Sequence, residues 1–211
     1  MIAFLGGTFD PVHLGHLHAA RAVRERVPCR ELRLVLAARP GHRPAPVASI
    51  ADRWAMLERA VEGEEGLVAD DREIRRSGAS YTVDTLAALR VEHGATERLA
   101  WIVGWDAYLS LSTWHRSADL LALSHLIVVR RPGEARAPPV EMAAFETRRA
   151  DASALMDRPA GAVLVLDAPM LAISSSEIRA RCRRGEPVAH LLSPAVWTYI
   201  TDRRLYGVSR A

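Results

Sequence analysis

The chain has 211 residues, 49% of them hydrophobic and 25% charged, with a formal net charge of +3. That length supports one large core and is short for two, and a modest, scattered positive charge does not call for nucleic acid as a partner. All 28 basic side chains are arginine, which excludes a lysine-dependent phosphate loop, a lysine nucleophile and Schiff-base chemistry.

Reading along the chain, residues 2–5 form a short apolar run of strand type, followed by a glycine turn at Gly6 and Gly7. Leu14, Leu17, Ala20 and Val23 then recur about every three residues and predict a helix. A second strand is predicted at 32–36, and the Pro- and Gly-rich stretch 39–46 must be a loop. Ser49 and Thr82 are placed to cap helices over 50–61 and 83–90. Further strands are expected at 99–103, 126–129 and 163–166, with a second loop at 132–139. Three serines, Ser174 to Ser176, precede a last helical pattern that includes Arg179.

Strands alternating with helices predict an α/β fold: a doubly wound, mostly parallel Rossmann-like sheet with helices on both faces, in a single domain spanning 1–211. In such sheets ligands bind beyond the carboxyl ends of the strands. Cys29 and Cys182 are far apart and the N-terminus lacks the layout of a signal peptide, so a reducing cytoplasm is expected. No apolar run approaches the ~20 residues of a membrane-spanning helix.

The segment 6–16 carries the densest information. A strand, a glycine turn and a helix start bring unpaired N–H groups and a positive dipole end to an anion. His13 and His16 sit three apart on one face and are donors to phosphate oxygens, neutral or charged near pH 7. No third His, Cys or helical Glu follows at a metal-ligand offset, so no metal site is expected. The serine run at 174–176 with Arg179 reads as a second phosphate clamp facing the first.

Together, 6–16, 39–43, Ser80-Tyr81-Thr82, Gly104–Asp106, Thr113-Trp114-His115 and 173–179 resemble the motifs of bacterial nicotinate-nucleotide adenylyltransferases over almost the whole chain. The first and last motifs are shared with the wider nucleotidyltransferase superfamily, whereas the middle ones are more specific. The resemblance implies attack by the 5′-phosphate of nicotinate mononucleotide on the α-phosphorus of ATP, with Mg2+ delivered by ATP. It implies catalytic roles for His16, His13 and Arg179. ATP would be held by Gly6, Gly7, Thr8, Phe9, His13, His16, Gly104, Asp106, Ile173, Ser175, Ser176 and Arg179.

The mononucleotide would meet Thr8, His42, Arg43, Tyr81, Thr82, Trp114 and Arg131. Trp114 would stack on the pyridine ring, and the backbone at Tyr81 and Thr82 would receive the ring carboxylate. Two positions depart from the family pattern: Gly41 replaces a proline, and Trp105 is bulkier than the usual occupant beside the adenosine. The alternatives are a pantetheine-phosphate adenylyltransferase, a non-catalytic nucleotide sensor and, more remotely, a tRNA-charging synthetase, the last weakened by the absence of lysine.

Overall fold

A computed structural model describes residues 1–41, 44–169 and 171–208. Six strands, β1 (Ile2–Gly7), β2 (Glu31–Leu36), β3 (Leu67–Asp70), β4 (Leu99–Gly104), β5 (His125–Arg130) and β6 (Val163–Asp167), form one sheet in the order β3-β2-β1-β4-β5-β6. Every neighbouring pair is parallel. This is the doubly wound order, in which the direction of winding reverses between β1 and β4 and opens a crevice at their carboxyl ends.

The helices are α1 (Leu14–Arg26), α2 (Ile50–Val61), α3 (Arg72–Arg75), α4 (Thr82–His93), α5 (Trp105–Leu109), α6 (Leu120–Leu123), α7 (Ala143–Glu146), α8 (Ala154–Asp157), α9 (Ser175–Arg184) and α10 (Pro194–Arg203). Alternation along the strands divides the core in two. Ala3, Leu5, Leu34 and Ile102 pack with Leu17 and Val23 of α1, Met56 of α2, Ile178 of α9 and Ile200 of α10. Ile2, Phe4, Trp101 and Val128 face the other way, onto Val83, Leu86 and Leu89 of α4 and Tyr108 of α5.

The sequence predicts five of these strands within one or two residues. It misses β3, a four-residue edge strand whose Val68 is exposed and which therefore lacks a continuous apolar run. Ser49 caps α2 by accepting from the Asp52 N–H, as expected. Thr82 is not the cap of α4: the extended residue before the helix is Tyr81, and Thr82 is already helical.

Gly6 and Gly7 also need correction, because they lie inside β1, paired with Val35 and Leu36, and the turn begins after them. They are small to make room. A Cβ on Gly6 would stand 2.4 Å from the Trp101 ring, and one on Gly7 2.6 Å from the Phe9 ring. The left-handed backbone of the turn falls instead on Phe9, at φ 48°.

Candidate active site

The exit of β1 is held from beneath by two buried charges. Arg53, on the apolar stripe of α2 with Met56, Leu57 and Ala60, is 1% exposed. Its guanidinium donates to the carbonyls of Thr8, Ala37 and Ala38 and so ties the ends of β1 and β2 together. Asp10, 3% exposed, accepts from the N–H groups of Val47 and Ala48 and from the Tyr206 hydroxyl at 2.8 Å. A buried carboxylate with three donors is a rigid anchor, and burial beside it pushes the Tyr206 hydroxyl far above its ordinary value.

On this anchor stand the two histidines. Their rings stack with centroids 3.7 Å apart, and Phe9 meets His16 edge-on at 5.0 Å. The Gly15 position leaves space for this arrangement, since a Cβ there would touch the His13 ring at 3.0 Å. His16 Nδ1 accepts the His13 N–H at 3.2 Å, so the ring proton sits on Nε2. Burial lowers the pKa of His13 to about 4 and that of His16 well below its ordinary value, with the neighbouring His13 adding to the second shift. Both rings are therefore neutral at pH 7, which narrows the sequence expectation of neutral or charged.

The amino end of α9 docks directly on this loop. Ser174 caps the helix by accepting from the Glu177 N–H, and Ser175 Oγ donates to the Pro11 carbonyl at 2.9 Å. Arg179 donates to the Asp10 carbonyl at 2.6 Å and to Ser176 Oγ at 3.4 Å, with Asp10 Oδ2 at 3.7 Å. Two helix starts, two neutral imidazoles and one oriented guanidinium thus converge. That is a donor-rich surface suited to polyphosphate.

A cavity of about 690 Å³ opens above this surface, within the range of small-ligand sites. Gly6, Gly7, Thr8, Phe9, His13 and His16 form its floor, with Ile173, Ser175, Ser176 and Arg179 on one side. Gly104 and Asp106 line the β4 end together with Arg131, and Thr82 and Trp114 close the opposite wall. The Tyr81 side chain is not part of the lining: its ring packs on His115, 4.3 Å between centroids, over the space left by Gly41. His42 and Arg43 lie outside the described residues.

Trp105 lines the cavity beside Gly104 and Asp106. It is 5% exposed, with the Arg130 guanidinium 5.0 Å from its ring centroid, and its Nε1 donates to the Arg136 carbonyl at 3.1 Å. That bond fixes the 132–139 loop, and the Arg136 guanidinium pairs with Asp106 at the cleft rim. Asp10, Arg53, Tyr206 and Arg136 escape a local reading of the sequence. Arg53 alone leaves a signal, a lone cation on an apolar helix stripe.

Among the described residues no group of three or more His, Cys, Asp or Glu side chains could hold a metal ion. Asp10 has its hydrogen-bonding capacity taken up by the protein, and Asp106 points to the rim. No helix among the described residues is long and apolar enough to cross a membrane.

The cytidylyltransferase-like family matches residues 4–181. A protein of Pseudomonas fluorescens with the name "Probable nicotinate-nucleotide adenylyltransferase" is 43% identical over 206 residues, covering 97% of this chain and 96% of its own. One of Chromohalobacter salexigens with the same name is 42% identical and covers 98% and 95%. The fold is shared with the nicotinic acid mononucleotide adenylyltransferase of Plasmodium falciparum complexed with NaAD, at a TM-score of 0.75 and 19% identity over 100% of this chain and 98% of that one. The chain belongs to the cytidylyltransferase-like family and, within it, to the nicotinate-nucleotide adenylyltransferases.

Proposed function

We propose that the chain, acting as one nucleotidyltransferase domain over 1–211 in the cytoplasm, transfers the adenylyl group of ATP to nicotinate mononucleotide in NAD biosynthesis. An oxygen of the mononucleotide 5′-phosphate forms a bond to the α-phosphorus of ATP, the bond from that phosphorus to the bridging oxygen breaks, and pyrophosphate leaves. The observation that carries this reading is the meeting of the stacked His13 and His16 with the amino end of α9 and Arg179 at the mouth of β1.

The nucleophile is supplied by the substrate, so no covalent enzyme intermediate is needed. Catalysis rests on alignment and on neutralising charge as it develops. His16, with a neutral Nε2–H, donates at the reacting centre, and His13 supports it. Arg179 takes the leaving pyrophosphate with the α9 amino end at Ser175 and Ser176, beside Ile173. The Ser175 hydroxyl is already spent on Pro11, so its contribution is its backbone N–H.

Gly6, Gly7, Thr8 and Phe9 seat the phosphates, and Gly104 and Asp106 hold the adenosine once Arg136 yields the carboxylate. His42, Arg43 and Arg131 approach the mononucleotide phosphate, Trp114 stacks on the pyridine, and the N–H groups at Tyr81 and Thr82 receive its carboxylate. ATP is used as its Mg2+ complex, the metal riding on the phosphates in keeping with the absence of a carboxylate cluster among the described residues.

Pyrophosphate release from ATP across a panel of nicotinate mononucleotide, nicotinamide mononucleotide and phosphopantetheine tests the reading. The nicotinate acceptor should give the highest kcat/KM. Phosphopantetheine ahead of it would move the chain to the rival transferase, and no pyrophosphate release with any acceptor would leave only a nucleotide-binding role.

A further inference from the structure

The mononucleotide proposed for this cleft carries an anion at each end, a phosphate and a ring carboxylate, and the groups proposed to meet them lie on two separate segments. Residues 39–46 follow the end of β2, and the link from α3 to the start of α4 follows β3. These strands are parallel neighbours, so both segments run out from the same edge of the sheet, past the ladder bonds that space the strands. The first segment is held at its ends, at Ala37 and Ala38 by Arg53 and at Val47 and Ala48 by Asp10.

Between those ends it is fastened to the second segment by Ser80, which is 8% exposed and lines the cavity with Pro40 and Thr82. Ser80 takes up both backbone polar groups of Arg39: its Oγ accepts the N–H at 3.1 Å, and its own N–H donates to the carbonyl at 2.9 Å. Pro40 and Ser80 form a parallel bridge. The Arg39 guanidinium donates to the Arg76 carbonyl at 3.0 Å, just past α3, and α3 is tied to the first turn of α4 where Thr85 Oγ1 donates to Glu73. Arg39 is exposed, so water could satisfy its N–H; what the serine adds is a fixed spacing.

We infer, on the nicotinate reading given above, that Ser80 is a positioning residue of the acceptor site: its hydroxyl sets the spacing between the segment that meets the mononucleotide phosphate and the helix start that meets the ring carboxylate. A ligand that spans both segments gains from having them held in place before it arrives. One that touches only the helix start does not.

Ser80→Ala keeps the backbone pairing and removes the hydroxyl. The test compares it with the unmodified protein in kcat, in KM for ATP and for nicotinate mononucleotide, and in inhibition by nicotinate riboside, which has the ring carboxylate and lacks the phosphate. The variant should raise KM for the mononucleotide about tenfold while kcat, KM for ATP and the riboside inhibition constant stay within about twofold. An unchanged mononucleotide KM overturns the inference, because the hydroxyl then sets no spacing that matters. So does a riboside constant that rises as much as that KM, which confines Ser80 to the ring end, or an equal rise in KM for ATP, which makes it a general support of the fold. These results leave the nicotinate reading intact, whereas absence of turnover with nicotinate mononucleotide in the unmodified protein overturns both.

Discussion

His16 Nδ1 is occupied by the His13 N–H, so one ring nitrogen remains to act on substrate and it carries a proton. A neutral donor aimed at developing charge acts mainly in the transition state. His16→Ala should therefore lower kcat on the order of a hundredfold or more while changing the ATP KM little, read from steady-state pyrophosphate release. A large rise in KM with kcat preserved would make His16 a ground-state binder. Arg179 spends one nitrogen on the Asp10 carbonyl and another on Ser176, which leaves the planar fork oriented toward the cleft. Arg179→Lys keeps the charge and loses that geometry, so turnover should fall, roughly tenfold or more. Full activity in the Lys variant would reduce its role to charge alone.

At the scale of elements, the central strands and helices α1, α2, α4 and α9 were readable because periodicity is a local signal, and α2 even announced its cap through Ser49, whereas the sequence reading missed α10. The short elements were not: β3 has four residues on an edge, and α3 and α5 to α8 have five or fewer, too short for a period to register. The same distinction runs through the site. His13, His16, the serines and Arg179 lie in compact motifs, whereas Asp10 is completed by Tyr206, 196 residues away, and by the backbone at 47 and 48. Glycine is readable as a small residue but not as to what it makes room for, which is why Gly6 and Gly7 belong to β1 and not to the turn. The anchor gives a prediction of its own. Tyr206→Phe removes one donor from a buried carboxylate and should cost about 1–3 kcal/mol in urea unfolding, with a smaller loss of kcat than His16→Ala. No change in stability would mean that the terminal segment does not brace the histidine loop.

For the molecule as a whole, buried imidazoles link stability to pH. His13 has a folded pKa of about 4 against 6.5 when unfolded, and His16 and His125 are lowered in the same direction by burial. The unfolded chain binds these protons first, so stability is complete above pH 6.5 and falls as pH drops toward 4; His13 alone contributes about 3 kcal/mol to that fall. Glu73, raised in the fold, acts with the opposite sign. Denaturant midpoints between pH 7 and 4 should therefore decline more steeply in the unmodified protein than in His13→Asn, and equal slopes would contradict the buried neutral state.

The central claim is that one cleft joins two nucleotides by direct adenylyl transfer. Equimolar ATP and nicotinate mononucleotide, incubated with the protein and resolved by chromatography, measure this most directly. Nicotinate adenine dinucleotide and pyrophosphate should appear in a one-to-one ratio, each at the rate ATP disappears. Pyrophosphate with AMP and no dinucleotide, or no consumption of ATP, would contradict it.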